Sequence, residues 1–297
     1  MAALPISQSA STATAPSVTP DDYCADKAAP PGSDVYYSVL FLTPERRRAT
    51  IALEAVRREL EDAVRDATDP AVVQSKLQWW RLELARLFEG RPDHPATKAL
   101  QPHLSAYDIG AVHLGELLAG VEADAMQNRY LDWPNLRRHG DQVAGVAGRL
   151  AARIAGHTHA RTLEFARLLS LAEQLVHFIR NLGEDVRHNR VYVPVDELQR
   201  FNVPAADLFN RRYADGFKPL MAFQAERART TYKEALAALP AEDRRAQRSA
   251  LIRGVLAMRL LDEVEADGFQ VLTQRTDLTP LRKLWLAWRT QITQIRS

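Results

Sequence analysis

The stretch IRNLGEDVRHNRVYVP occupies residues 179–194. It begins inside an apolar helical run, carries an acidic pair at Glu184 and Asp185, and ends at Pro194. Carboxylates that directly follow a core-facing helix usually meet a cation or a metal-bound phosphate. The stretch therefore predicts a binding site at the end of a buried helix.

The composition restricts the class of protein. The 297 residues are 46% hydrophobic and 26% charged, which is typical of a soluble globular chain with a substantial core. A net charge of +2 does not indicate a broad basic face, so we expect no nucleic-acid partner. The single cysteine, Cys24, excludes an internal disulfide, indicates a reducing compartment and is expected to be an inert thiol.

The chain is expected to form one domain behind a short tail. Residues 1–20 are rich in Ser, Thr, Ala and Pro and have neither a basic start nor an apolar core, so they predict a disordered tail rather than a secretory signal. Residues 21–297 predict one all-α domain. No stretch approaches the ~18 apolar residues that span a membrane, so we expect a cytoplasmic protein.

Helical periodicity runs through the domain, and strand-type alternation is scarce. Thr43 and Pro44 can start a long helix, and Pro70 starts the next one, which stops at Gly90. Helices are predicted at residues 43–68, 70–90, 94–103, 106–126, 132–156, 159–187, 194–201, 204–212, 217–238, 240–268 and 278–293.

Two of these helices carry polar stripes. Their members recur at steps of three or four residues: Glu54, Arg58, Glu61, Asp62 and Arg65 on the first helix, and Glu173, His177, Asn181, Glu184 and Asp185 on the 159–187 helix. A solvated face explains the first stripe as well as a site does. The second runs through the apolar segment LLSLAEQLVHFI, which favours a cavity or a facing polar stripe. Within it, His177 is either a metal ligand or a hydrogen-bonded core residue.

The C-terminal run LTPLRKLWLAWRTQITQI carries an apolar stripe with three basic residues beside it. The stripe consists of Leu281, Leu284, Trp285, Trp288, Ile292 and Ile295, and the basic residues are Arg282, Lys283 and Arg289. Two interpretations stay open: a helix that lies on a membrane surface, or a helix that packs its apolar stripe on the domain.

From Tyr23 to the last helix the chain resembles the squalene/phytoene synthase family, and most closely the bacterial presqualene diphosphate synthases of hopanoid biosynthesis. The resemblance rests on YCADKAAPPGSDVYYSVLFLTPERRRA, KLQWWRLELARLF, RYLDW, GEDVRHNRVYVPVDELQRF, LMAFQAERA and LPAEDRRAQR. It implies an all-α isoprenoid-synthase domain around an apolar cavity. Two acidic motifs would face each other there and hold Mg²⁺ against the diphosphate of farnesyl diphosphate. Neutralising that diphosphate makes it a better leaving group.

The resemblance also implies roles for particular residues. Catalysis falls to Tyr37, Arg58, Gln174 and Arg180; substrate binding to Tyr36, Ser38, Arg58 and Arg180; and metal binding to Glu61, Asp62, Glu184 and Asp185.

The sequence departs from the family pattern at the metal motifs. Family aspartates correspond to Glu61 and Arg65 in the first motif, and to Asn181 and Asp185 in the second. A net charge of −4 thus becomes −1. At an effective dielectric of ~20, Arg65 at ~4 Å would repel a cation by ~4 kcal/mol per unit charge. We expect Arg65 to be buried and to pair with Glu61, Asp62 or a carboxylate of the facing helix.

Other cavity positions are altered as well. The family has Asn where this chain has His177, a Tyr-Arg pair where it has Asp141 and Gln142, and apolar residues where it has Glu54 and Glu173.

Three functional hypotheses follow. The chain is an active synthase that joins two farnesyl diphosphates with Asp62, Glu184 and Asp185 holding Mg²⁺ in a shifted register. Alternatively, it is a family member with weak or lost activity that acts beside a partner synthase, and the altered chemistry favours this hypothesis. A third hypothesis is a repurposed site around Glu173 and His177.

Overall fold

The computed structural model describes residues 18–65 and 69–293. In those ranges the chain forms fifteen α-helices and no strand, which confirms the all-α prediction. The helices are α1 (Pro20–Ala28), α2 (Asp34–Val39), α3 (Pro44–Arg65), α4 (Pro70–Phe88), α5 (Pro95–Leu100), α6 (Ala111–Met126), α7 (Trp133–Gly140), α8 (Val146–Ala155), α9 (Arg161–Arg180), α10 (Leu182–Arg187), α11 (Val195–Arg200), α12 (Ala205–Phe209), α13 (Phe217–Ala238), α14 (Arg248–Ala266) and α15 (Pro280–Thr293). The expected tail falls mainly on residues 1–17, outside the described residues.

Several helices begin at a side-chain cap. The side chains of Thr19, Ser33, Asp69 and Asp132 accept hydrogen bonds from backbone N–H groups in the first turns of α1, α2, α4 and α7. Such caps satisfy donors that have no partner within the helix.

Helix α9 lies at the centre of the domain and packs against α8, α13 and α14. Its C-terminal half belongs to one hydrophobic cluster together with residues of α13 and α14. A second cluster joins α3, α4, α6 and α8, and it contains the buried Cys24 of α1. Because α8 packs on both α3 and α9, these two helices are held near each other without forming a close interface.

Two predicted helices are interrupted. The helix predicted at 132–156 contains a π-helical turn at Asp141–Gly145, where the Gln142 carbonyl approaches Gly120 too closely for any Cβ at that glycine. The helix predicted at 159–187 breaks at Asn181. There the N–H of Gly183 donates to the Val271 carbonyl at 3.2 Å. In both places a tertiary contact overrides local helical periodicity.

Helix boundaries differ elsewhere too. Helix α6 starts at Ala111 rather than at 106, and the segment predicted at 240–268 is a 3₁₀ turn, Ala241–Asp243, followed by α14. Residues 66–68, the predicted end of the first long helix, lie outside the described residues.

Helix α15 turns Leu281, Leu284, Trp285 and Trp288 of its apolar stripe to solvent, whereas Ile295 lies outside the described residues. Leu281, Trp285 and Trp288 are 80%, 50% and 54% exposed, whereas Leu286 and Ala287 are buried against the domain. The face that packs on α2 and α14 is therefore opposite to the apolar stripe, so the interpretation in which the stripe packs on the domain is wrong. Within the described ranges, no helix has the length and apolarity needed to cross a membrane.

Candidate functional site

A cavity of about 530 Å³ lies between α3, α8, α9 and α14. All five residues of the first predicted stripe line it: Glu54, Arg58, Glu61, Asp62 and Arg65 of α3. Of the second predicted stripe, Glu173 and His177 line it, whereas Asn181 and Glu184 do not; Gln174 and Arg180 of α9 line it as well. A smaller adjoining space of about 60 Å³ shares Glu61, Arg65, Gln174 and His177 and includes Asp185. The end of α9 therefore faces α3 across one continuous site.

The carboxylates of the first motif are already paired. Asp62 lies 2.8 Å from the Nζ atom of Lys27, which also lies 2.8 Å from Glu59. Glu61 forms a short ion pair with Arg57. One oxygen of each carboxylate, Asp62 Oδ2 and Glu61 Oε1, is thus held by a protein cation that offsets the negative charge on which Mg²⁺ binding depends.

The second motif contributes a single carboxylate to the site. Asp185 lines the smaller space, whereas Glu184 lines neither space. Among the described residues, the Oδ2 atom of Asp185 is buried without a hydrogen-bond partner. Burial raises the pKa of Asp185 to about 7, although nearby Arg65 opposes that shift. A buried, unpartnered carboxyl oxygen favours the protonated form near neutral pH.

Arg65 differs from its expected arrangement. Its side chain is exposed, and it forms no ion pair within 4.0 Å of any carboxylate in the described ranges. The prediction of a buried, paired arginine is wrong, because its expected partners Glu61 and Asp62 form ion pairs with Arg57 and Lys27 instead. The Arg65 charge instead acts on Asp185 across the smaller space.

The side chains of His177 and Asn181 are hydrogen-bonded to each other. The Nδ2 atom of Asn181 lies 2.8 Å from the Nε2 atom of His177. Burial lowers the pKa of His177 well below its ordinary value, and neighbouring Arg180 and Arg65 lower it further. The imidazole is therefore neutral and hydrogen-bonded, which matches the core alternative for this residue. Glu173 pairs with Arg253 at 2.5 Å, so Glu173 and His177 do not form a joint site.

Glu54 carries a second buried charge in the interior of the cavity. It accepts hydrogen bonds from Arg57 Nε at 3.0 Å and Nη2 at 2.5 Å. Burial alone would raise the pKa of Glu54, but Arg57, Arg253 and Arg58 outweigh it and lower the pKa to about 2. A cavity that the family resemblance implies to be apolar is thus crossed by charged groups.

The remaining predicted site residues lie around the cavity. Arg58 donates from Nη1 to the Lys27 carbonyl at 2.9 Å, and Arg180 donates from Nε to Asn181 Oδ1 at 3.1 Å. On α2, Tyr37 and Ser38 are buried, and Ser38 donates to the Val35 carbonyl at 2.8 Å.

Tyr36 stacks edge-on against Tyr37. The residues of α2 that line the cavity are Asp34 and Val35, whereas Tyr36, Tyr37 and Ser38 lie beside it.

The two positions that replace the family Tyr-Arg pair face elsewhere. Asp141 forms an ion pair with Arg167, and both Asp141 and Gln142 line a separate surface groove. The nearby residue that reaches the cavity is Ala144.

Four basic residues of the site were missed in the sequence. They are Lys27 from α1, Arg57 from α3, Arg253 from α14 and Arg275 from the loop after α14. Arg57 follows the three-to-four spacing from Glu54 to Glu61 just as Arg58 does, so the spacing was a signal that could have found it. The other three come from distant parts of the chain, where periodicity gives no signal.

The residues present do not fit a magnesium cluster. Seven basic and five acidic side chains line the cavity, so its lining has a formal excess of positive charge. Within residues 18–65 and 69–293, no group of three or more His, Cys, Asp or Glu side chains could hold a metal ion. The set instead suits an anion, because arginine presents several donors to carboxylates and phosphates.

Comparison with known proteins places the chain in a family. A sequence model described as squalene/phytoene synthase matches residues 29–282. The chain is 30% identical over 256 residues to a chloroplastic phytoene synthase of an Oncidium hybrid cultivar, covering 84% of this chain and 62% of that protein. It therefore spans less than two thirds of that plant relative. It is 28% identical over 287 residues to a phytoene synthase of Arthrospira platensis, covering 91% and 92%.

Solved structures share the fold. A dehydrosqualene synthase in complex with a ligand superposes with a TM-score of 0.81 at 20% identity, covering 94% of this chain and 97% of that one. The squalene synthase HpnC from Alicyclobacillus acidocaldarius gives 0.73 at 21% identity, covering 84% and 94%. Taken with the family match over residues 29–282, these findings show that the chain belongs to the squalene/phytoene synthase family of isoprenoid biosynthesis.

Proposed function

We propose that this chain binds prenyl diphosphates and joins two farnesyl diphosphates into presqualene diphosphate slowly or not at all. The observation that carries the proposal is the pairing of Asp62 with Lys27 and of Glu61 with Arg57. Mg²⁺ would either have to displace these cations, which breaks partly buried ion pairs at a cost, or bind beside them against their positive charge.

Anion binding rests on arginines at the cavity. Arg58, Arg65, Arg180 and Arg275 line it, and Arg65 and Arg275 have no carboxylate within 4.0 Å in the described ranges. Their guanidinium groups can donate to diphosphate oxygens in pairs, which makes such contacts stronger than neutral hydrogen bonds. Prenyl diphosphate is the ligand class that the family relationship suggests for this arrangement.

The test is diphosphate release from purified full-length protein incubated with farnesyl diphosphate and Mg²⁺. We expect turnover far below the ~1–10 s⁻¹ that is ordinary for enzymes. Inorganic diphosphate should nevertheless bind in calorimetry, with an affinity that changes little when Mg²⁺ is removed. Ordinary turnover would overturn the proposal, and so would diphosphate binding that requires Mg²⁺.

One observation favours the alternative of a fully active enzyme. The Oδ2 atom of Asp185 is buried without a partner, so one carboxylate oxygen is available to a cation. In that alternative Asp185, Asp62 and Glu184 would hold Mg²⁺. The chain would then be an active synthase of squalene and hopanoid biosynthesis, as the resemblance implies. Asp185→Asn would then abolish turnover and lower Mg²⁺ affinity together.

We further propose that α15 contacts a lipid bilayer with anionic headgroups. Its exposed face presents Leu281, Leu284, Trp285 and Trp288, and Arg289 lies over the Trp285 ring at 5.2 Å. Of the three basic residues of the helix, Lys283 is buried against Asp34 and Asp277 and Arg282 pairs with Glu263. Arg289, beside the exposed tryptophans, is the basic residue placed to meet an anionic surface. Tryptophan and arginine beside aliphatic residues are typical of helices that lie in a membrane interface. The alternative to a lipid bilayer is that a partner synthase binds to this exposed face of α15.

A further inference from the structure

A buried lysine of the C-terminal helix lies close to the large cavity. Lys283 of α15 is 4% exposed, and its Nζ atom lies 2.9 Å from Asp34 Oδ1 and 2.9 Å from Asp277 Oδ1. It also donates to the Gly32 carbonyl at 3.2 Å. An ammonium group has three N–H donors, so these three acceptors saturate it. We call Lys283, Asp34 and Asp277 the lysine triad.

The two aspartates of the lysine triad lie near arginines of the cavity. Asp34 lines the cavity together with Arg180 and Arg275, whereas Lys283 does not line it. Asp277 follows Arg275 by two residues in the loop between α14 and α15. Burial and the neighbouring Arg275 lower the pKa of Arg180, and the charges of Asp277 and Asp34 oppose that shift. Both carboxylates therefore act electrostatically on an arginine that could hold a diphosphate.

These carboxylates nevertheless leave the arginines unpaired. Among the described residues, neither Arg180 nor Arg275 has a carboxylate within 4.0 Å, because Asp34 and Asp277 each turn an oxygen to Lys283. Two carboxylates and one ammonium give the lysine triad a net charge of −1 in place of −2. A guanidinium paired with a carboxylate has fewer donors for a phosphate, and an unneutralised carboxylate repels that phosphate.

We propose that Lys283 is a positioning residue for anion binding, which holds Asp34 and Asp277 away from the guanidinium groups of Arg180 and Arg275. Both arginines then stay free to donate to a diphosphate. The inference rests on the proposed function, which places the diphosphate at these arginines. It makes α15 a supporting part of the site through a residue outside the cavity lining.

The test is calorimetric titration of the full-length protein with inorganic diphosphate, at low ionic strength and without Mg²⁺. Lys283→Met removes the ammonium group and keeps a side chain of similar length. We expect it to weaken diphosphate binding at least about fivefold, and the difference to shrink as salt is added. An affinity within about twofold of the wild type would overturn the inference.

Asp34→Asn distinguishes this role from a purely structural one. It disrupts the same contact with Lys283 but changes the charge in the opposite direction, so the lysine triad becomes neutral. We expect this variant to bind diphosphate at least about twofold more tightly than the wild type. A purely structural role predicts that both variants lose affinity, so binding equal to or weaker than that of the wild type contradicts the inference.

Two further variants serve as control and rescue. Arg282→Met removes the same charge from the adjacent position of α15, where Arg282 pairs with Glu263, and should leave the affinity unchanged. A loss as large as that of Lys283→Met would mean that only the overall charge matters. Lys283→Met combined with Asp34→Asn and Asp277→Asn removes the whole triad charge and should restore at least the wild-type affinity. Failure of this rescue would also count against the inference.

The outcomes separate the two proposals. If the wild type does not bind inorganic diphosphate, the proposed function fails and this inference fails with it. If the wild type binds and Lys283→Met binds equally well, this inference alone fails. Should Lys283→Met unfold, Asp34→Asn and the triple variant decide, because neither leaves a carboxylate of the lysine triad without its cation.

Discussion

The Nζ atom of Lys27 lies 2.8 Å from Asp62, so helix α1 supplies a cation to the first acidic motif of the cavity. Two hydrogen-bonded carboxylates, Asp62 and Glu59, raise the pKa of Lys27 against the effect of its partial burial, which keeps the amine charged. The negative charge of the first acidic motif is therefore offset by a cation of the protein itself.

Metal affinity should depend on removing these protein cations. We expect Arg65→Asp with Asn181→Asp to strengthen Mn²⁺ binding at least tenfold, and Lys27→Met added to them to strengthen it further, because Asp62 is then free. Mn²⁺ titration followed by electron paramagnetic resonance measures this directly. Arg137→Asp makes the same charge change as Arg65→Asp alone, at an exposed position outside the cavity, and should have little effect. Equally tight binding by the wild type would contradict the prediction.

Asp243 should make stability depend on acid pH. Its carboxylate accepts from Thr158 N at 2.8 Å, from His159 N at 3.2 Å and from the Thr162 hydroxyl. Burial opposes ionisation, but these hydrogen bonds outweigh it and lower the pKa from 3.8 to about 2. The stabilisation is complete above pH ~4 and is lost as the pH falls through the folded-state value.

Asp243→Asn should accordingly cost about 2 kcal/mol of unfolding free energy at pH 7. The difference from the wild type should narrow below pH ~4 and close near pH ~2, as measured by urea unfolding. Asp196→Asn changes an exposed aspartate and should show neither effect. A gap that stays constant across this pH range would mean that lost packing, rather than ionisation, causes the destabilisation.

Gly148 should be essential to the packing of α8 on α9. A Cβ atom there would lie 2.2 Å from Ser170 Oγ and 2.6 Å from the Ala166 carbonyl. We expect Gly148→Ala to destabilise the protein by about 1–3 kcal/mol through overpacking. At Gly115, on α6, a Cβ would meet nothing within 4 Å, so Gly115→Ala should be neutral or stabilising by up to about 1 kcal/mol. Thermal unfolding of both variants checks the contrast.

Binding of α15 to vesicles should require its exposed tryptophans. We expect the full-length protein to sediment with anionic vesicles, and Trp285→Glu with Trp288→Glu to weaken this at least tenfold. Val112→Glu with Met126→Glu adds the same charges at other exposed apolar positions and should have little effect. Unchanged sedimentation of the tryptophan variant would exclude α15 as the contact. Concentration-dependent dimerisation without lipid would favour a protein on this face instead.

The polar stripes show how far the sequence could predict the site. Their three-to-four spacing correctly placed Glu61 and His177 on one cavity, because helical periodicity is a local property. The identity of each ionic partner is not local. Arg253 reaches Glu173 from eighty residues away, and Lys27 reaches Asp62 from a helix that the periodicity did not resolve.

The helix interruptions could not be predicted from the sequence, because they too depend on contacts between distant parts of the chain. Asn181 lies in an apolar helical pattern that gives no stop signal before Gly183. The break follows from the approach of the Val271–Leu272 backbone, which leaves no room for a side chain at Gly183.

The orientation of α15 could not be predicted either. Its apolar stripe is visible in the sequence, but the small residues Ala287 and Thr290 pack against the domain and leave Trp288 exposed.

Cys24 has a practical consequence for experiments on this protein. It is the sole cysteine of the sequence, it is 1% exposed, and burial raises its pKa to about 12. A thiol that is both inaccessible and un-ionised at neutral pH does not react with maleimides. The natural chain is therefore already a background for single-site labelling. A fluorophore or spin label on Trp288→Cys would report the depth of α15 in a bilayer without any other cysteine having to be removed.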